Sequence, residues 1–290
     1  MASTPVDPDS ASAPLAAVAR VLRCPVCGEP VWVADAVLAC GLGHHFDIAR
    51  QGYVNLIAGR GGPGTADSAA MVAARESFLG RGHYARIASA TAEAAAEANI
   101  GTDDVVVDLA GGTGYYLAHL LDEHSDAVGI CVDLSSPALR RAARAHARAA
   151  AIGADAWGVL PIASGAVRVL LSVFGPRNPD EIERVLTPDG TMIVVSPTPN
   201  HLQELAQPLG LLAVDPAKPE RQAAAFSRFH RLARRTEQYS IVLDRDDLAA
   251  VVGMGPSAVH IDASVLRERV GQMPERITVT VSVEVASYRR

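Results

Sequence analysis

The chain has 290 residues, is 49% hydrophobic and carries a net charge of −6. It can therefore bury a sizeable core without disulfide staples, and its charge excludes a simple basic nucleic-acid-binding domain. No apolar run approaches the roughly 20 residues of a membrane span, so a soluble, cytoplasmic protein is expected. The length suits one large domain plus a small one, or two domains. Nearly every cation is arginine, with Lys218 the sole lysine; this reflects a GC-rich genome and also suits bidentate phosphate contacts.

The first residues (MASTPVDPDSASAP) are small, polar and proline-rich with no positive leader, and residues 1–19 read as a disordered tail rather than a signal peptide. A compact module follows at 20–57. Residues 58–85 form a linker and connecting helix: AGRGGPGTADS is loop-like, Ser68 caps a helix through MVAARESFL, and GRGHY ends it. From 86 to 290 the pattern is that of a single larger domain. The alanine-rich stretch 86–99 is helical. DDVVVDL is a buried strand, followed by a glycine loop and the helix YYLAHLLDEH. AVGICVD is a second strand. SSPALRRAARAHARAA reads as a helix with Ser136 as N-cap and Pro137 in its first turn. VRVLLSVF and TMIVVSP are strands flanking the short helix DEIERVL. Strands alternating with helices imply a mostly parallel α/β sheet covered on both faces. In ITVTVSVEVASY, Ile277, Val279, Val281, Val283 and Val285 alternate strictly, which places this strand antiparallel at the sheet edge.

Three of the four cysteines fall within residues 24–40; the fourth, Cys131, reads as a buried thiol in a reducing compartment. Cys24 and Cys27 form C-x2-C. Cys40 follows after twelve residues, with His44 and His45 both within reach of the site. Such paired ligands on two short loops suit tetrahedral zinc, and VWVADAVLA between them resembles a ribbon hairpin. The histidine argues against an iron site of four thiolates. Four protein ligands leave no open position, so the zinc is structural and supplies folding energy to a module too small to hold itself. Spacing alone leaves His44 and His45 both open.

VVVDLAGGTGYYL places Asp108 at a strand end before a loop of Gly111, Gly112, Thr113 and Gly114. A dinucleotide fingerprint needs a third glycine where Leu117 stands, which argues against NAD. Asp133 ends the next strand, where its carboxylate can accept hydrogen bonds from two ribose hydroxyls. Strand-end acid, glycine loop and second strand-end acid form the pattern of S-adenosylmethionine (SAM) binding in methyltransferases. Asp155 and Trp157, near the third strand, could flank an adenine, though a core tryptophan fits as well.

The segments CPVC…CGLGHHFDIARQGYVNL, MVAARESFLGRGHY, VVDLAGGTGYYL and PTPNHLQEL together closely resemble the zinc-containing large-subunit ribosomal RNA (guanine-N1-)-methyltransferases. GGTG, RAARAH, FGPRNP and VVGMGPS look most like the actinobacterial branch that includes a tylosin-resistance enzyme. The resemblance runs from about residue 22 to the C-terminus. It implies a Rossmann-like SAM-dependent methyltransferase sheet with an N-terminal zinc ribbon. It also implies methyl transfer from SAM to N1 of a guanine in a 23S rRNA hairpin, which can contribute to macrolide resistance. The zinc ligands it implies are Cys24, Cys27, Cys40 and His44. The SAM contacts it implies are Tyr84, Gly112, Thr113 and His201, to which the residue reading adds Asp108 and Asp133. Homodimers whose zinc modules form an RNA cleft are also implied. One departure is Ala110, where methyltransferases usually have glycine; its methyl is expected to tighten or tilt the loop.

A guanine held in a hairpin must be flipped out to react, and catalysis should rest mostly on alignment and electrostatics. In the FGPRNP loop, Arg177 could stabilise charge at guanine O6 and Asn178 could bond its edge; no general base is legible. Arg50, Arg60, Arg75 and Arg81 could contact phosphates, and Arg140, Arg141, Arg144 and Arg148 offer a second basic face. Over residues 1–80, however, acids outnumber arginines seven to five, so RNA recognition would rest on local placement and loop shape. Two competing readings are a SAM-dependent small-molecule methyltransferase, for which a zinc ribbon has no use, and a non-catalytic zinc/SAM RNA-binding module, for which an intact donor loop has none.

Overall fold

A computed structural model of the chain describes residues 8–57, 66–211, 224–255 and 262–290. Lys218, Arg60, most of the glycine-rich linker and the end of VVGMGPS lie outside the described residues.

The centre is an eight-stranded sheet. Its strands are β4 (Tyr53–Asn55), β5 (Val105–Leu109), β6 (Val128–Asp133), β7 (Ala149–Gly153), β8 (Val167–Val173), β9 (Leu186–Pro197), β10 (His230–Asp244) and β11 (Arg276–Arg289). The order across it is β10-β11-β9-β8-β5-β6-β7-β4. Strands β4 to β9 run parallel, and β11 lies antiparallel between β9 and β10. The five residues of β5 are all buried, as expected of a near-continuous β-branched run covered on both faces.

Side chains alternate between two cores. Val106, Cys131, Val169, Ile193 and Val281 face helices α3 (Ala85–Ala96) and α4 (Tyr115–Glu123). Val107, Ile130, Ile152, Leu170 and Val194 face the N-terminal segment. Helix α2 (Ala69–Gly80) starts at the expected Ser68, whose hydroxyl accepts the Met71 N–H at 3.2 Å. It packs against α5 (Ser136–Ala142) and α8 (Arg245–Gly253). Helix α6 (Pro179–Val185) links β8 to β9, α7 (Gln203–Leu209) follows β9, and α9 (Ala263–Gln272) precedes β11.

Several expectations change. The tail expected through residue 19 is helical from Pro8 to Val18 (α1), and Leu15 and Val18 are fully buried. One turn apart on a helix, these two supply an apolar stripe that the polar composition hid. The long helix expected over 135–150 stops at Ala142, and Ala149–Gly153 is the third strand instead. Alanines carry no alternation to betray a strand, so pairing with β6 overrides their helix propensity. The N-cap is Ser135, not Ser136: its hydroxyl accepts the Ala138 N–H at 3.3 Å and donates to the Asp67 carbonyl at 2.7 Å. Strand β11 is antiparallel as expected but interior. The edge is β10, which the sequence concealed because HRLARRTEQYSIVLD is largely polar and exposed, as befits an edge that must not recruit another strand.

The ribbon is a separate sheet of β1 (Val31–Ala34), β2 (Val37–Cys40) and β3 (His45–Asp47). The hairpin turn falls at Asp35, whose φ is 53°. The module expected at 20–57 is not self-contained. Its last strand, β4, pairs with β7 of the large sheet. Leu22 bridges to Ile162, and the Arg23 N–H donates to the Pro161 carbonyl at 2.9 Å. Cys24, Val31, Leu38 and Cys40 share one core with Ile152 and Leu170.

This shared core makes ribbon and sheet melt together. A structural zinc contributes about 10–16 kcal/mol of folding free energy in isolated zinc modules, and for a chain of this size each kcal/mol moves the midpoint by roughly 2 °C. Zinc chelation, or Cys24→Ser, is expected to lower one single calorimetric transition by about 10 °C or more. Two transitions with the larger one unmoved would contradict the coupling.

Candidate active site and metal centre

Two knuckles of like geometry hold the metal-ligand cluster. In the first, the Cys24 N–H donates to the Glu29 carbonyl and the Gly28 N–H to the Cys24 carbonyl, both at 2.8 Å. In the second, the Cys40 N–H donates to the His44 carbonyl and the Gly43 N–H to the Cys40 carbonyl, both at 3.0 Å. The Sγ atoms of Cys24, Cys27 and Cys40 and a ring nitrogen of His44 all lie within 4.8 Å of one another. Cys27 Sγ to Cys40 Sγ is 3.7 Å, while His44 Nδ1 lies 3.4 Å from Cys40 Sγ and 3.6 Å from Cys24 Sγ. A tetrahedron with zinc–sulfur bonds of about 2.3 Å has edges of about 3.8 Å, so the donor set fits zinc. His45 is exposed on β3 and takes no part in the cluster.

The second centre lies at the carboxyl ends of β5, β6, β8 and β9. Asp108 is 1% exposed, and neither of its carboxylate oxygens has a hydrogen-bond partner among the described residues. Burial, with the nearby charge of Asp133, pushes its carboxyl up to about 7; the Leu117 amide offsets this slightly from outside hydrogen-bonding range. The glycine loop wraps this group closely. A side chain on Gly111 would start 2.6 Å from Asp108 Oδ2 and 2.8 Å from Cys131 Sγ, so nothing larger than hydrogen fits there. Ala110 adopts the left-handed conformation, φ 57°, that a glycine would hold without strain. The alanine that departs from the usual glycine thus carries backbone strain. Thr113 is buried at the start of α4.

Asp133 ends β6 as expected. Its Oδ2 accepts the Gly112 N–H at 2.9 Å and its Oδ1 the Ser135 N–H at 2.8 Å. Burial raises its carboxyl from the ordinary value despite these two bonds. Helix α2 covers the loop. Arg75 ion-pairs with Asp67, donates to the Met254 carbonyl at 3.0 Å, and lies so close that a side chain on Gly112 would start 3.0 Å from Nη1. Three acids and one guanidinium therefore surround the loop. Nothing in the spacing of Asp67 and Arg75 announces this cover; only folding brings α2 onto the loop.

Tyr84 and His201, 117 residues apart in sequence, meet at 3.0 Å between the phenol oxygen and Nε2. His201 Nδ1 accepts the Ser282 N–H at 3.2 Å. Burial lowers the imidazole to about 4, so it is neutral near pH 7. With Nδ1 accepting, the neutral ring carries its hydrogen on Nε2 and donates it to Tyr84. Phe174 completes an aromatic group, its ring centroid 6.0 Å from that of Tyr84 and 5.8 Å from that of His201.

Arg177 and Asn178 are turned to other tasks than those expected. Arg177 donates to Ser172 Oγ at 3.0 Å, Ser196 Oγ at 3.2 Å and the Val195 carbonyl at 3.3 Å, bracing β8 against β9. Burial lowers its guanidinium to about 10. Asn178 caps α6 and donates to the Trp157 carbonyl at 2.9 Å. Trp157 is 64% exposed and so is not the core residue weighed above, while Asp155 Oδ1 is engaged by the Trp157 N–H at 2.9 Å. Of the arginines read as phosphate contacts, Arg75 is held as described and Arg81 is paired with Asp244 and Asp247. Arg141 pairs with Glu76, and Arg148 donates to the carbonyls of Leu121, His124 and Ala127. Arg50, Arg140 and Arg144 are exposed. A cleft of about 620 Å³ separates the first knuckle from the loop after β7, lined by Arg23, Pro25, Ile57, Asp155 and Val159 among others.

Parallel sheet, glycine loop and paired strand-end acids define a Rossmann-like SAM-dependent methyltransferase, here carrying an N-terminal zinc ribbon. The RlmA N-terminal zinc-ribbon family model matches residues 22–58. A 23S rRNA (guanine(748)-N(1))-methyltransferase of Streptomyces fradiae is 46% identical, over 92% of this chain and 95% of that protein. A Micromonospora griseorubida protein provisionally named a 23S rRNA (guanine-N(1)-)-methyltransferase is 49% identical, over 92% of this chain and 97% of its own length. The Bacillus subtilis (strain 168) protein YxjB, provisionally given the same activity, is 28% identical over 91% of this chain and 95% of its own. The chain belongs to the 23S rRNA (guanine-N(1)-)-methyltransferase family.

Asp108 generates a test with a defined pH signature. Its carboxyl titrates near 3.8 when unfolded and about 7 when folded. Between these values the unfolded chain has given up a proton that the native chain keeps. The group's contribution to stability is therefore full below the unfolded value, falls as pH rises, and levels off above the folded value. Asp108→Asn lacks this loss. Without ligand it is expected to melt like the wild type near pH 4 and increasingly above it toward a plateau past about pH 7.5. Its SAM affinity should nevertheless fall at least about tenfold, since a charge-assisted hydrogen bond is worth roughly 1.5–3 kcal/mol. Unchanged SAM affinity would remove Asp108 from the donor site.

Proposed function

We propose that this chain methylates N1 of a guanine in a hairpin loop of 23S rRNA, with SAM as donor. The observation that carries the reading is the buried Asp108 carboxylate, without a hydrogen-bond partner among the described residues, against a loop too tight for any side chain at Gly111. That is a seat for a cationic ligand, and the zinc ribbon beside it has no use in methylating a small molecule.

SAM supplies an electrophilic methyl already activated by its sulfonium charge. The chain's residues do the rest. Asp108 holds the cationic end of the donor. Asp133, fixed by the Gly112 and Ser135 amides, keeps lone pairs for the ribose hydroxyls. Gly112 and Thr113 form the floor, and Tyr84 and His201 close the far wall. Cys24, Cys27, Cys40 and His44 hold a structural zinc with no position left for water. His201 does not act as base toward guanine N1–H, because Nδ1 accepts from Ser282 and Nε2 donates to Tyr84. The guanine N1 proton passes to solvent as the methyl leaves sulfur and bonds to nitrogen, so the chain's own contribution is alignment and electrostatics.

The division into ribbon (20–57), linker and connecting helix (58–85) and methyltransferase domain (86–290) remains the working scheme, with β4 as the splice between ribbon and sheet. The hairpin lies along the cleft between knuckle and β7 loop, and exposed Arg50 faces phosphate. The protein works in the cytoplasm as a homodimer, and its product contributes to macrolide resistance. The ribosomal-RNA activity printed for the Streptomyces fradiae relative supports the first of these, and the homodimer and the resistance rest on the family resemblance alone.

Incubation with labelled SAM and either 23S rRNA or a small-molecule extract tests the reading. Label is expected in the RNA, with reverse transcriptase halting one nucleotide before a guanine, because an N1 methyl blocks pairing. Guanine 748, named for the Streptomyces fradiae relative, is the first position to inspect. Label confined to small molecules, or no label at all, would contradict it.

A further inference from the structure

One residue at the mouth of this site is strained without a task in the scheme above. Phe174 is the first residue past β8, and its backbone is left-handed, φ 56°. For a bulky side chain this conformation is a genuine outlier, and such strain persists where the surroundings over-determine it, often at functional sites. Gly175, one position on, would tolerate it freely but does not adopt it. The Phe174 amide is pinned to the Val195 carbonyl at 3.1 Å, so the strain is fixed in place.

The consequence is where the ring goes. Ser172 and Val173 just before it are buried, yet Phe174 is 36% exposed. Its ring lies against Tyr84 and His201, the far wall of the donor site. The chain then turns straight into the glycine loop, since a side chain on Gly175 would start 3.1 Å from both Ala110 Cβ and the Leu109 carbonyl. An apolar ring is thus held half-open one residue from the loop that seats the donor. A core ring would be buried, and a surface ring would need no strained backbone.

We propose that the open face of Phe174 is a nucleobase-stacking subsite, on which the flipped guanine lies while Tyr84 and His201 buttress the ring from the buried side. A base taken out of its stack needs a replacement surface, and aromatic rings supply it. This rests on the RNA-methyltransferase reading.

The test uses the full-length, zinc-loaded protein with SAM and a 23S rRNA hairpin transcript. Phe174→Leu keeps apolar bulk without a π face, Phe174→Tyr restores the face, and Phe174→Gly removes the ring and releases the backbone. Leu and Gly are expected to lose roughly five- to hundredfold in kcat/KM for RNA, the span of one base–aromatic stack. Phe174→Tyr should recover most of that. SAM affinity measured by calorimetry should stay within about twofold in all three. Wild-type kcat/KM in Phe174→Leu would overturn the proposal. So would a parallel loss of SAM affinity, which would place the ring in the donor pocket. Failure of the wild type to methylate the transcript would instead overturn the functional reading.

Discussion

A carboxylate buried without a partner is the constraint around which this molecule is arranged. Asp108 sits at the end of the central strand with both oxygens unsatisfied among the described residues and a second acid nearby. Ionised and unliganded, that group costs free energy, because burial disfavours the charge and no hydrogen bond among the described residues compensates. Only a ligand bringing positive charge or several donors reverses the balance. The close glycine loop, the capped Asp133, the Arg75–Asp67 cover and the Tyr84–His201 wall all make sense as parts of the seat for that ligand. The strain at Ala110 is local to this seat as well, and that at Phe174 lies beside it.

The zinc ribbon is placed by the sheet as much as by its metal. The ion fixes two knuckles to each other, but β4 and the Leu22–Ile162 bridge fix the ribbon to the strand ends. One apolar core runs from Leu38 and Cys40 through Ile152 to Leu170. The ribbon's distance from the strand ends is therefore set by packed side chains rather than by a linker.

How much of this could be read beforehand depends on what kind of signal each part leaves. Ligand spacing survives in sequence, so the Cys24–Cys27–Cys40 frame was legible, and the choice of His44 over His45 needed the family resemblance. Strand-end acids around a glycine loop were legible for the same reason. Strands β7 and β10 were not: one is nearly all alanine, the other polar because it lies at an edge. Helix α1 hid its two core residues in a polar tail. Asp67 and Arg75 over the loop, and Phe174 beside it, depend on contacts between distant segments and on a backbone angle, neither of which leaves a pattern in spacing. Arg177 and Asn178 were placed correctly near the strand ends, yet their side chains serve the fold, bracing β8 to β9 and capping α6.

The central claim is that donor binding ionises Asp108. Calorimetric titration of SAM into the zinc-loaded protein at about pH 6.5, repeated in buffers of different ionisation enthalpy, counts the protons exchanged. With the carboxyl near 7 before the donor binds, most of one proton should be released for each SAM bound. No exchange, or proton uptake, would contradict the account.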